Sequence, residues 1–330
     1  MPGELAIVFW RKKSATQGGR LTLHIGIHRT GTTGLQRGLA SNRDRLTAQG
    51  KCYPFKGTNH QDFAWALHRG KMNGKDLVKK LEAHAGEGHI ILSGEDFCIH
   101  RDLGWLATLR EIYDVEAIVY LRRQDHWLMS WYNQHVKWPF SKKHSVMTPK
   151  EFLGCLDEFY WLDFETMLGL WEGALGRDKV NVRVLERGQV TDAIADFFAL
   201  TGIDGSKLEM AEALQNDSLP TEMLEYVRGA GMYEIKNPER VAIIEFLQAA
   251  AKSAGCNAKT LYTAAERQQI LERFAASNAA VAKHWFGREA LFLEGPPDDG
   301  GLYVEGTLGS HGNYDDLMRL AVGALGKEHK

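Results

Sequence analysis

Two glycines five positions apart, Gly26 and Gly31, sit between an apolar run and the start of a helical pattern, and they constrain this chain more than any other feature. The run Leu21-Thr-Leu-His-Ile-Gly-Ile-His28 reads as a buried strand, and Leu35 and Leu39 open a helix directly behind Thr32 and Thr33. Glycine at both positions lets the backbone curl so that successive N–H groups point inward. The N-terminus of the helix behind them adds partial positive charge. Thr32 and Thr33 supply hydroxyl donors. A loop of this build holds phosphate-like anions, although a glycine turn that merely precedes a helix would carry the same letters.

Further apolar runs follow the same scheme, each leading through a polar turn into a helical pattern. They are His89-Ile-Ile-Leu-Ser-Gly94, Val115-Glu-Ala-Ile-Val-Tyr-Leu121 and the more alternating Val180-Asn-Val-Arg-Val-Leu185, which suits an edge position. Lys51-Cys-Tyr-Pro-Phe55 adds a short candidate strand. Strands separated by helices call for an α/β fold, a parallel sheet covered by helices on both faces, and the spacing of Gly26 and Gly31, similar to that of a Walker A loop, implies one of the P-loop NTPase-like kind. Thr148-Pro-Lys-Glu151 and Thr263-Ala-Ala-Glu266 are capping boxes that start helices. Beyond the second box, residues Ile270 to Trp285 place apolar side chains on one helical face. Pro296, Pro297 and the glycine-rich run to Gly312 read as a surface loop. The expectation is one domain over 1–330, with a nucleotide-binding core at about 21–205 and a helical C-terminal region at about 206–330.

At 44% apolar and 25% charged residues, the 330-residue chain has an ordinary globular composition. A formal net charge of −2 argues against a nucleic-acid partner, which calls for a strongly basic surface. Four dispersed cysteines, Cys52, Cys98, Cys155 and Cys256, form no paired motif and fit free thiols in a reducing, cytoplasmic setting. The apolar stretch Leu5 to Trp10 is too short for a membrane span or a signal segment, and its charges at Arg11, Lys12 and Lys13 fall on the wrong side. No later segment has the length of a transmembrane helix. Nothing in the residues speaks to oligomeric state.

The loop departs from the Walker A pattern in one telling way. The lysine that should follow the second glycine is replaced by Thr32, and a cation sits inside the loop instead, at Arg29. A magnesium triphosphate would lose its usual counter-charge here. His28-Arg-Thr-Gly-Thr-Thr33 resembles the 5′-phosphosulfate loop of sulfotransferases, usually Pro-Lys-Ser-Gly-Thr-Thr or, in bacterial members, His-Lys-Thr-Gly-Thr-Thr. In Tyr120-Leu-Arg122-Arg123 and the helix after it, Arg122 precedes Ser130 by eight positions, as in that family's 3′-phosphate motif. Arginine offers phosphate a bidentate fork, and a serine on the next helix completes a clamp. The resemblance covers about residues 21–205. It implies a sulfuryl transfer from 3′-phosphoadenosine 5′-phosphosulfate (PAPS), held by Arg29, Thr30, Gly31, Thr32, Thr33, Arg122 and Ser130, to an acceptor hydroxyl on a carbohydrate, glycolipid or small metabolite. Two departures stand out: Arg29 replaces the usual lysine, and Gly34 replaces the tryptophan that stacks on adenine in cytosolic members.

An acceptor hydroxyl needs a general base. Glu95, directly after the second strand, holds the position that the resemblance assigns to the catalytic base. His60, in Asn59-His-Gln-Asp62, is second and His135 third. Arg29 would stabilise charge on the leaving phosphate oxygen. No metal is expected, since the sulfuryl group carries less charge than a phosphoryl group and no metal-ligand spacing is evident. The aromatic cluster Trp127, Trp131, Tyr132, Trp138 and Phe140 fits core packing first and sugar stacking second. Two rivals stand: a kinase or ATPase with a degenerate loop, for which Glu95-Asp96 would hold magnesium, and a nucleotide-binding protein without catalysis.

Overall fold

The computed structural model describes residues 19–302, apart from 85, 87, 211–218, 231–236, 255, 257 and 259. The Leu5–Trp10 stretch and the part of the glycine-rich run beyond Leu302 lie outside the described residues.

The architecture is mixed α/β. Five strands, β1 (Arg20–His24), β2 (Lys51–Cys52), β3 (His89–Ser93), β4 (Asp114–Leu121) and β5 (Val180–Val184), form one sheet in the order β2-β3-β1-β4-β5. All four pairings are parallel. Parallel strands carry helices on both faces, so their residues are divided between two apolar layers. β4 shows the division: Val115, Ala117, Val119 and Leu121 enter one core, and Ile118 and Tyr120 enter the other.

The predicted strands are all present, some shorter than expected. β2 stops at Cys52, because Pro54 has no N–H to continue a ladder. β1 stops at His24, although Ile25 and Ile27 still donate to the carbonyls of Ile118 and Tyr120 at 3.0 and 3.1 Å. Gly26 then turns the chain with φ +96°, and a Cβ there would lie 3.1 Å from the Glu95 Cα. Only glycine suits both the dihedral and the approach. β5 does lie at an edge of the sheet.

Both capping boxes form, at Thr148–Glu151 and Thr263–Glu266. The expected helical face from Ile270 to Trp285 is split, because the chain leaves helical geometry at Phe274 (φ −101°, ψ 6°) between helices Ala264–Arg273 and Ala275–Phe286. The same apolar core runs from the sheet through Leu219, Met223, Ile244 and Leu247 to Leu291. A buried charge cluster adds to this seam: Asp125 accepts from Arg123 Nε at 2.8 Å and from Arg267 Nε at 3.0 Å. The four cysteines are free thiols, three of them buried. Among the described residues, no helix is long and apolar enough to cross a membrane.

Candidate active site

β1 lies between β3 and β4, so the chain leaves it toward one side of the sheet, returns at β3 and crosses over to β4. A crevice opens at such a reversal, outside the carboxyl ends of the strands. Three predicted segments meet there. The Gly26–Gly31 loop follows β1, Glu95 follows β3 and Arg122 follows β4. They line a cavity of about 740 Å³.

The loop ends at Gly31, in the left-handed region with φ +83°, and hands over to the helix Thr32–Ser41. No side chain caps that helix, so its first N–H groups stay available for a ligand. A Cβ on Gly31 would meet nothing within 4 Å. Arg29 also takes a left-handed conformation, φ +66°, which a non-glycine residue holds only when its surroundings enforce it. The enforcing contacts come from the segment after β4. Arg122 Nη1 donates to the Arg29 carbonyl at 2.7 Å, and Trp127 Nε1 donates to the His28 carbonyl at 2.8 Å. Thr30 Oγ1 donates to the Ile27 carbonyl at 2.7 Å.

So held, the Arg29 side chain reaches the helix Gln124–Lys137. Its Nε donates to Ser130 Oγ at 2.8 Å and its Nη1 to Gln134 Oε1 at 2.9 Å. Both partners are neutral. Among the described residues, neither Arg29 nor Arg122 forms an ion pair with a carboxylate. Burial lowers the Arg29 pKa, with Glu95 pulling the other way. Burial, followed by the neighbouring Arg29 charge, lowers that of Arg122 to about 10. Two cations thus share one wall without a counter-ion in contact, which suits an anionic ligand.

Glu95 is buried and heavily solvated by side chains. Oε1 accepts from Thr32 Oγ1 at 2.5 Å, and Oε2 accepts from Gln36 Nε2 at 3.1 Å and Gln61 Nε2 at 3.0 Å. A carboxylate offers about four acceptor positions, so one remains for a proton or a hydroxyl. Beside it, Asp96 Oδ1 engages His28 Nε2 at 2.9 Å.

His60 does not line the cavity. Its Nε2 donates to the Pro54 carbonyl at 2.9 Å, and its Nδ1 accepts from the Ser93 N–H at 2.9 Å. Burial lowers its pKa to about 4. Both ring nitrogens serve the backbone, and the neighbouring Gln61 reaches Glu95 instead. His135 does line the cavity and is also lowered to about 4, by burial first and then by His144 and His28. The aromatic cluster divides: Trp127 and Tyr132 are buried in the core, whereas Trp131 and the 70% exposed Phe140 line the cavity and Trp138 does not.

Sequence reasoning missed Gln36, Gln61 and Gln134. Gln134 carried a usable signal, since it stands one turn beyond Ser130 on the same helical face. A second cavity of about 640 Å³ shares Arg122 and Ser130 with the first and runs under the C-terminal helices, past His126, Leu224 and Arg267.

No known protein-family profile matches the chain. A protein of Archaeoglobus fulgidus described as uncharacterized is 27% identical over 210 residues, which cover 62% of this chain and 55% of that protein. The chain thus spans about half the length of that relative. Among solved structures, a sulfotransferase from Alicyclobacillus acidocaldarius is similar at 15% identity, over 69% of this chain and 95% of that one. Its TM-score is 0.38, too loose a likeness to carry any conclusion about activity.

Proposed function

We propose that the chain is a sulfotransferase that moves a sulfuryl group from PAPS to an acceptor hydroxyl. One observation carries the reading: Arg29, from the loop after β1, is hydrogen-bonded to both Ser130 and Arg122 of the segment after β4, with no carboxylate among them. The residues present fit a phosphosulfate. They offer an uncapped helix N-terminus, an open space at Gly31 and two arginines, without the lysine that a triphosphate loop places after its second glycine.

In this reading Arg29 and Thr30 to Thr33 hold the 5′-phosphosulfate, and Arg122 and Ser130 hold the 3′-phosphate. The nucleoside then occupies the cavity beyond Arg122 and Ser130, and the acceptor enters beside Trp131 and Phe140. The donor supplies the sulfuryl group. Arg29 and the loop amides stabilise charge that develops on the phosphate oxygen. Glu95 uses its remaining acceptor position to take the hydroxyl proton, while Thr32, Gln36 and Gln61 fix its orientation. His60 has no free nitrogen for that work. The acceptor class is a carbohydrate, glycolipid or small metabolite.

The test is calorimetric titration with 3′-phosphoadenosine 5′-phosphate (PAP) in the absence of magnesium, beside ATP with magnesium. Micromolar, metal-independent binding of PAP is expected. A clear preference for magnesium-ATP would overturn the reading in favour of a kinase. PAP binding without transfer to any of a panel of hydroxyl acceptors would leave a binding protein.

A further inference from the structure

Away from the phosphate-binding loop, the wall of the first cavity carries a cluster of different chemistry. His144 lies in the short helix Lys142–Ser145, and Glu158 closes the turn Leu156–Glu158, which Cys155 caps. One donor atom from each of His144, Cys155 and Glu158 lies within 4.8 Å of the other two. His144 Nε2 is 3.1 Å from Glu158 Oε2. His144 and Cys155 are both buried, with 9% of each exposed.

We propose that His144, Cys155 and Glu158 form a binding site for a zinc-class divalent cation that opens onto the cavity. Within the cluster His144 Nε2 pairs with Glu158 Oε2, a contact that a cation would replace. The His144 Nδ1 is buried without a hydrogen bond, and so is the Nδ1 of His135, whose ring centroid is 5.1 Å from that of His144. Outside the cluster the Cys155 sulfur has only weak neighbours, the Met147 sulfur at 3.7 Å and the Glu151 carbonyl at 3.6 Å, and within it the thiol meets the Glu158 carboxylate.

The donor set decides the metal class. A sulfur, an imidazole nitrogen and one carboxylate oxygen suit zinc and its neighbours, while magnesium and calcium require oxygen ligands. Charge also balances: a thiolate and a carboxylate neutralise a divalent cation. Binding releases the thiol proton to solvent and forms the metal–sulfur bond, with no change of oxidation state. Lys143 holds Glu158 Oε1 at 2.5 Å, so the cation would take up Oε2 in place of its contact with His144. Three protein ligands leave a fourth position, as at zinc sites that handle water or substrate. His144 and Glu158 line the cavity, so that position faces whatever the cavity admits. The proposal does not depend on the identity of the donor nucleotide.

Cobalt(II) is the probe, titrated into the full chain after chelator stripping. The expected result is a near-ultraviolet thiolate-to-cobalt charge-transfer band that zinc bleaches. Cys155→Ser should abolish it, and Cys256→Ser should leave it intact. Glu158→Gln, an isosteric change at an exposed position, should weaken cobalt binding about tenfold or more. A wild-type protein without the band would overturn the site, as would a band that survives Cys155→Ser. If Cys155→Ser does not fold, Glu158→Gln decides: unchanged cobalt affinity would overturn the proposal too.

Discussion

Replacing Arg122 by methionine separates what that side chain does for the fold from what it does for a ligand. In the folded protein its pKa falls from the usual guanidinium range to about 10, by burial first and the Arg29 charge second. The difference corresponds to about 3 kcal/mol of unfavourable free energy in the charged form. Arg122 is half-buried and lines an open cavity, so solvent screening reduces that to about 1–2 kcal/mol. Methionine removes this penalty and keeps much of the apolar stem. It also removes the 2.7 Å bond to the Arg29 carbonyl, a contribution of about 1–3 kcal/mol. The two changes nearly cancel, and urea unfolding should place the variant within about 1 kcal/mol of wild type. Ligand binding has no such compensation. Two charge-assisted hydrogen bonds to a phosphate, at about 1.5–3 kcal/mol each, are lost together. PAP affinity by calorimetry should fall roughly 10²- to 10⁴-fold. Affinity within about threefold of wild type would refute the 3′-phosphate assignment. A loss of stability above about 3 kcal/mol would refute the picture of two unneutralised cations.

Other expectations follow from the same geometry. Glu95→Gln keeps the shape of the side chain but removes its basicity, so turnover with any acceptor that wild type uses should drop roughly 10²- to 10⁴-fold while PAP still binds; turnover within about tenfold would rule out Glu95 as base. Stability should fall on acidification. His24, His60, His100 and His135 sit at about 4, and His89 at about 3, in each case because burial disfavours the charged ring. The unfolded chain binds these protons near pH 6.5 and the folded chain does not, so their contribution is complete above 6.5 and is lost as pH falls toward 4. Thermal melts from pH about 7 to pH about 5 should show a steadily falling midpoint, with a shallower fall in His60→Gln; a flat profile would contradict the buried neutral rings.

What could be read from the residues was whatever periodicity and junctions determine. The apolar runs located all five strands, and the carboxyl ends of three of them located the loop, Glu95 and Arg122. Periodicity fails where one backbone group decides. Pro54 ended β2 after two residues, and a non-helical Phe274 split the last predicted helical face. The direction of a side chain is equally hidden. His60 and Gln61 are adjacent, and the more reactive residue type pointed to His60. The ring was instead captured by two backbone groups, which hold a buried imidazole in one tautomer, and its neighbour turned into the site.

The contact between Arg29 and Ser130 belongs to the same class of hidden feature, and it explains why arginine can stand where lysine is usual. A lysine ammonium is a point charge and needs no fixed orientation. Arg29 has a planar fork, and Ser130 Oγ and Gln134 Oε1 bind two of its three nitrogens, Nε and Nη1. That leaves Nη2 without a hydrogen-bond partner among the described residues, so the fork is fixed in plane with one edge free for a ligand oxygen. Arg29→Lys should therefore do more than shorten the reach. It releases Ser130 from the loop, and the charge it keeps is no longer aimed. PAP affinity in Arg29→Lys should fall at least about tenfold, and Ser130→Ala should cost more in wild type than in the lysine variant, where only its own contact with the 3′-phosphate is left to lose. Full additivity of the two substitutions in a double-mutant cycle would show that Ser130 does not act through Arg29.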